Sequence, residues 1–266
     1  MLHRPHQGNT IVIGQPAHAR MVGVVGRAWG GGRFAVPPQW DEVCVAADTH
    51  EIGMAAWEMH PTFNPHTGLP HAYLELSRAD HLALWHDVGS LLLSQGRYVA
   101  LIVSRHGTWI FNGYETPPVD PAERTAVANY LRRERAFQQR MRRSLAEHAA
   151  YAEAVTPAAL ARTRETFIVW DRIAVHACYG VPGVWGIPPV YHWEHAPTAN
   201  GAVAPLTLAF VAPDHWTLDP WPLTVPELRL AGEGRLLGGP YADAAAMHAA
   251  IAAAPWVRWE SHLTPL

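Results

Sequence analysis

Residues 40–53 read Trp40-Asp-Glu-Val-Cys-Val-Ala-Ala-Asp-Thr-His50-Glu-Ile-Gly53. Val43, Ala46, Ala47, His50, Met54 and Trp57 recur at i, i+3, i+4 intervals, and this spacing predicts an amphipathic helix from Trp40 to about Glu58. The apolar stripe of that helix carries a histidine, and an acid follows it directly. A buried carboxylate is costly unless it is paired, and a metal ion is one such partner. Neighbouring helix positions point about 100° apart. His50 and Glu51 therefore converge only on something that sits over the edge of the helix, where other helices also face it.

Working outward, Thr10–Ile13 reads as a short strand and Gln15-Pro16 as a helix start, with proline where its missing N–H does no harm. Ala17, Met21, Val24, Val25 and Ala28 supply that helix's apolar face, and Gly30-Gly31-Gly32 stops it. The glycines are no phosphate loop, because no GK[ST] follows them. A loop rich in His, Pro, Thr and Gly spans Met59–Leu76. Ser77, with Asp80 three residues on, caps a helix expected to reach Gln95. Tyr98–Ser104 is a wholly apolar run whose periodicity fits a buried helix or a strand. A second loop is expected over Gly107–Asp120, then a long helix from Pro121 to Ala154. Thr156-Pro157 starts another helix, which carries Trp170-Asp171 and ends near Gly180. Beyond Gly180 prolines and tryptophans crowd in. Leu206–Val211 and Leu223–Leu230 read as strands, and Asp243–Ala253 as a short alanine-rich helix.

These elements predict a mainly α fold. Residues 1–180 would form a helical core and residues 181–266 a Pro- and Trp-rich, β-containing segment packed on it. The chain has 266 residues, 49% of them hydrophobic, so a sizeable core can be buried. The formal net charge of −3 offers no basic field to nucleic acid. All 20 basic side chains are arginines, and Arg132, Arg133, Arg135, Arg140, Arg142 and Arg143 cluster on the long helix, where they read as a solvated face. No apolar stretch reaches the roughly 18 residues of a membrane span. Met1–Gln15 lacks the apolar centre of a signal peptide, so the expected location is cytoplasmic. Cys44 and Cys178 sit in apolar surroundings and predict buried thiols rather than a disulfide.

Four segments place metal-ligand side chains on otherwise apolar helices: Gln15-Pro-Ala-His18-Ala19, His50-Glu51-Ile-Gly53, Ser104-Arg-His106-Gly107 and Trp170-Asp171. Imidazole with carboxylate suits a divalent transition metal such as Fe, Mn or Zn. Together with Trp57–Pro61 and the later Asp219-Pro-Trp-Pro222, these boxes make the chain resemble the DUF3891 family of uncharacterised bacterial proteins, over nearly its whole length. The order His, His-acid, His, Asp is also similar to that of the HD superfamily of helical metal-dependent phosphohydrolases. That resemblance implies an HD-domain-like core holding one or two ions. His18 would be the first ligand, His50 and Glu51 the doublet, Asp171 the last, and His106 the extra histidine of two-metal members. The doublet acid there is usually Asp, and Glu51 departs from this.

The function so implied is a metal-dependent hydrolase that attacks a phosphate ester or related small molecule through a metal-activated water. Glu51, His106 and Arg105 are the expected catalytic residues, Arg105 as a grip on an anionic substrate. Two other readings fit the same residues. An HD-type diiron oxygenase would need a further histidine, His81 or His86. A non-catalytic binding protein would instead use the Trp- and Pro-rich C-terminal segment. A small-molecule substrate is expected, with neither nucleic acid nor membrane as a partner, and a homo-oligomer is left open.

Overall fold

The computed structural model describes residues 1–114 and 120–266. Its first element is a hairpin of β1 (Leu2–His6) and β2 (Asn9–Ile13), turned by Gln7 and Gly8. Both turn residues have positive φ, 49° and 79°, as the tight turn between twisted strands requires. α1 (Gln15–Ala28) follows with Pro16 in its first turn, and the Glu58 carboxylate accepts the Gln15 backbone N–H at 2.8 Å. α2 (Trp40–Thr49) is succeeded by a 3₁₀ turn at Ile52–Met54 and the short α3 (Ala55–Met59). The expected 59–76 loop holds a small ladder, β3 (Phe63–Asn64) with β4 (Leu69–Pro70), and a 3₁₀ turn at Tyr73–Glu75.

Ser77 caps α4 (Arg78–Trp85), and α5 (Val88–Leu91) is a separate turn rather than a continuation to Gln95. The apolar run at Tyr98 is helical, within α6 (Arg97–Trp109), and a π-helical turn, Ile110–Tyr114, extends it. Part of the loop expected over Gly107–Asp120 lies outside the described residues. α7 (Pro121–Ala146) and α8 (Ala149–Ala152) divide the expected long helix. Thr156 caps α9 (Pro157–Tyr179), which Gly180 closes in the left-handed conformation at φ 73°. The rest is β5 (Val190–Pro197), β6 (Val203–Ala212), β7 (His215–Asp219), β8 (Leu228–Leu237), α10 (Ala244–Ala253) and β9 (Trp256–Pro265). No helix is long and apolar enough to cross a membrane among the described residues.

The expectation of a mainly α, HD-domain-like helical core with a C-terminal β-containing segment is overturned. A seven-stranded sheet in the order β1-β2-β8-β9-β7-β6-β5 makes up a large part of the molecule. Its neighbours are antiparallel except β7 and β9. The sheet draws on both ends of the chain, because β2 pairs with β8 through Thr10–Leu237, Ile11–Leu236 and Val12–Arg235.

The inner face of the sheet presents Leu206, Leu208, Trp216, Leu218, Leu230 and Leu263, each without exposed surface. They join Phe167, Trp170, Ile173 and Ala174 of α9 in one continuous apolar cluster. α9 is thus a spine between two layers. On the sheet side His176 meets Trp216 at 5.1 Å and Tyr191 at 5.7 Å between ring centroids. On the other side stand α1, α2 and α6. Cys44 and Cys178 are both buried and free, as their surroundings predict.

α1 approaches α9 closely because Gly26 has no side chain. A β-carbon there would lie 2.7 Å from Cζ3 and 2.8 Å from Cε3 of the buried Trp170 ring. Gly26→Ala is therefore expected to destabilise the protein by about 1–3 kcal/mol, the usual cost of overpacking. Chemical denaturation checks this. An unchanged or raised midpoint would mean that the two helices are not held at that spacing.

Candidate metal centre

Three helices bring three ligand side chains together. His18 lies one turn into α1, His50 directly follows α2, and Asp171 lies in the middle of α9. Their ligand atoms, one from each residue, all lie within 4.8 Å of one another. His18 Nε2 is 2.9 Å from Asp171 Oδ1, and His50 Nε2 is 3.8 Å from the same oxygen. His50 is wholly buried and His18 is 2% exposed. The site is thus a two-histidine, one-carboxylate triad that could hold a metal ion.

Local structure sets the tautomer of His50. Its Nδ1–H donates to the Ala47 carbonyl at 2.8 Å, leaving Nε2 as a bare acceptor. That Nε2 is buried and has no hydrogen-bond partner among the described residues. A ring held at one nitrogen by a backbone carbonyl, with the other nitrogen free, is the usual disposition of a metal-ligating histidine. The end of α2 matters here too. Because the helix stops at Thr49, Glu51 leaves the helical path with φ −96° and ψ 15°. The 100° divergence expected for the doublet is relieved, and Glu51 Oε1 stands 3.6 Å from His50 Nε2.

Burial, followed by the neighbouring charge of His106, lowers the His50 pKa to about 3, so this ring is neutral at pH 7. Burial lowers His106 to about 4. Burial and the charge of Asp171 push the Glu51 carboxyl up to about 8, which keeps it protonated near neutrality. Asp171 goes the other way. Burial opposes its ionisation, but the hydrogen bond from His18 and the three surrounding histidines hold it well below the usual carboxylate range. One ionised carboxylate, the neutral imidazoles of His50 and His106, and one protonated acid thus share a small volume. A divalent cation here would draw Glu51 back towards its ionised form.

The other predicted residues fall around this triad. His106 meets His50 at 5.1 Å between ring centroids, and both rings pack on Phe167, at 4.9 and 5.4 Å. His106 Nδ1 has no hydrogen-bond partner among the described residues. A cavity of about 50 Å³ opens beside the triad, lined by Gln15, Glu51, Tyr73, His81, His106 and Trp109 among others. This is room for a few waters at most. Gln15 Oε1 and Glu51 Oε2 are buried there without hydrogen-bond partners among the described residues. His81 thus belongs to the cavity wall, whereas His86 is exposed and pairs with Asp87 at 2.8 Å. Glu58 caps α1 at Gln15. Arg105 does not line this cavity. It faces a separate cleft with Arg135 and Arg164.

Sequence reasoning missed Phe167 and Gln15. Phe167 is one turn before Asp171, and that spacing puts it on the same face of α9. Gln15 belongs to the first sequence box, but nothing in the pattern says its amide points at Glu51's cavity.

The His50 geometry gives a direct test. In long-range ¹H–¹⁵N spectra of metal-free protein, His50 is expected as the neutral Nδ1–H tautomer throughout pH 5–8, consistent with its pKa of about 3. An imidazolium signal for His50 at pH 6 would contradict the buried acceptor at Nε2.

No curated protein and no solved structure matches the chain. A family model described as a protein of unknown function, DUF3891, matches residues 1–238. With that match over most of its length, the chain belongs to the DUF3891 family.

Proposed function

We propose that this protein is a metal-dependent hydrolase that acts on a phosphate ester or a related small molecule. The observation that carries the reading is the convergence of one ligand atom each from His18, His50 and Asp171, all within 4.8 Å of one another. A donor set of two imidazoles and one carboxylate leaves coordination positions open on an ion such as zinc, manganese or iron. A bound ion of this kind lowers the pKa of water and polarises the bond to be cleaved.

The chain's own residues supply the rest. The Ala47 carbonyl holds His50 in the ligating tautomer. Glu51, drawn to its ionised form by a bound cation, would be placed to take a proton from water and return it to the leaving oxygen. Neutral His106 stands beside His50 as a further proton carrier, or as a ligand if a second ion binds. The reading no longer leans on an HD fold, since the sheet-containing architecture removes that analogy.

A second reading has support in the same atoms. Two histidines and one carboxylate are also the donor set of non-haem iron oxygenases. Metal preference separates the two.

The test is release of p-nitrophenol from its phosphate, phosphodiester and acetate esters by protein loaded with zinc, manganese or iron(II). At least one ester is expected to turn over only with metal. Glu51→Gln is expected to slow it about 10²-fold or more while the metal stays bound. No metal-dependent release from any of the three esters would overturn the hydrolase reading. Oxygen uptake confined to the iron form would replace it with the oxygenase.

A further inference from the structure

On the far side of Trp109 from the triad lies a second concavity of about 630 Å³. Arg105, Thr108 and Trp109 reach it from one face of α6, at i, i+3 and i+4. Arg135 and Gln138 come from α7, and Arg164 comes from α9. Asn112, in the π-helical turn after α6, completes the wall.

The charge balance of this cleft is one-sided. Three guanidinium groups line it, and no carboxylate does among the described residues. Among the described residues Arg135 is paired only with a neutral amide, donating to Asn112 Oδ1 at 2.9 Å. Arg164 has an acid, Glu165, beside it on the surface. Arg105 has none: its Nε is buried without a hydrogen-bond partner, and it makes no ion pair among the described residues. Burial, with the like charges of Arg164 and Arg142, holds the Arg105 guanidinium below its ordinary value. A partly buried cation with unused donors is costly unless something pairs with it.

We infer that this cleft binds a phosphate-bearing small molecule through Arg105, Arg135 and Arg164. Guanidinium forks match phosphate oxygens in pairs, and several cations suit a dianion better than a single carboxylate. Thr108 and the Gln138 amide add neutral polar groups, and the Trp109 ring offers a flat wall for the rest of the ligand. Arg105 precedes His106, and these two residues line a further small pocket together with Phe167 and Arg164. The inference stands on the arginines alone, whether or not the triad carries out hydrolysis.

The test is calorimetry of metal-stripped protein, kept in chelator, with inorganic phosphate, pyrophosphate and acetate. One site is expected, filled by phosphate and pyrophosphate and at least tenfold weaker for acetate. Arg105→Gln and Arg135→Gln are each expected to weaken phosphate by roughly tenfold or more, the loss of one charge-assisted contact. Arg135 is on the exposed face of α7, so its replacement leaves the core intact. Arg258→Gln, on the distant β9, is expected to change nothing. Absence of binding at millimolar phosphate, or equal binding in the Arg105 and Arg135 variants, would overturn the inference. Acetate binding as tight as phosphate would overturn it too, by making this a carboxylate site.

Discussion

An ionised, half-buried carboxylate in the middle of a helix must be compensated, and Asp171 is compensated by histidines from other elements. His18 from α1 and His50 from the end of α2 approach its Oδ1, and His106 from α6 closes around them. Removing His18 would leave Asp171 without its hydrogen-bond partner, which costs more than the contact itself contributes. The packing of α1, α2, α6 and α9 is therefore tied to this cluster. Gly26 and Phe167 serve the same end, one by letting α1 approach α9 and the other by filling the space beneath two imidazoles.

The sheet contributes by holding α9 in place. His176 and Trp170 lie within the core, and Arg172 stacks over Tyr191 of β5 at 5.3 Å. Arg4 of β1 crosses to the end of α9, where it donates to the Ala177 and Cys178 carbonyls at 2.8 and 3.0 Å and pairs with Asp214. The helix that bears Asp171 is thus tied at its C-terminal end to the sheet. This leaves its other face for the triad and, one to two turns earlier at Arg164, for the arginine cleft.

α1 and α2 were readable from a 3.6-residue apolar pattern, and Pro16 and Thr156 mark the starts of α1 and α9, whereas the Tyr98–Ser104 run of α6 fitted a helix or a strand alike. His18, His50 and Asp171 stood out for the same reason, as polar groups on apolar faces. Single strands were readable, Thr10–Ile13 within β2 and Leu206–Val211 within β6, but their pairing was not: β2 is more than two hundred residues from its partner β8 in the chain, and no local pattern announces such pairing. Within β8, Gly232 and Gly234 interrupt the strand signal, yet both are required by close packing. A β-carbon at Gly232 would meet the Trp259 ring at 2.9 Å, and one at Gly234 would meet the Ile11 side chain at 2.4 Å. The arginine run on α7 looked like one solvated face. The structure divides it, sending Arg135 to the cleft and Arg142 to the Val155 carbonyl. Which arginines meet water depends on how α6 and α9 pack against α7, and that is tertiary information.

The most direct measurement is metal content by elemental analysis of wild-type protein beside His50→Ala and Asp171→Asn, with circular dichroism to confirm that the variants fold. About one equivalent of zinc, manganese or iron in the wild type, or two if His106 and Glu51 hold a second ion, should be lost or sharply reduced in both variants. Folded variants that keep the wild-type stoichiometry, or a wild type that takes up none of these ions on titration, would contradict the triad as a metal centre.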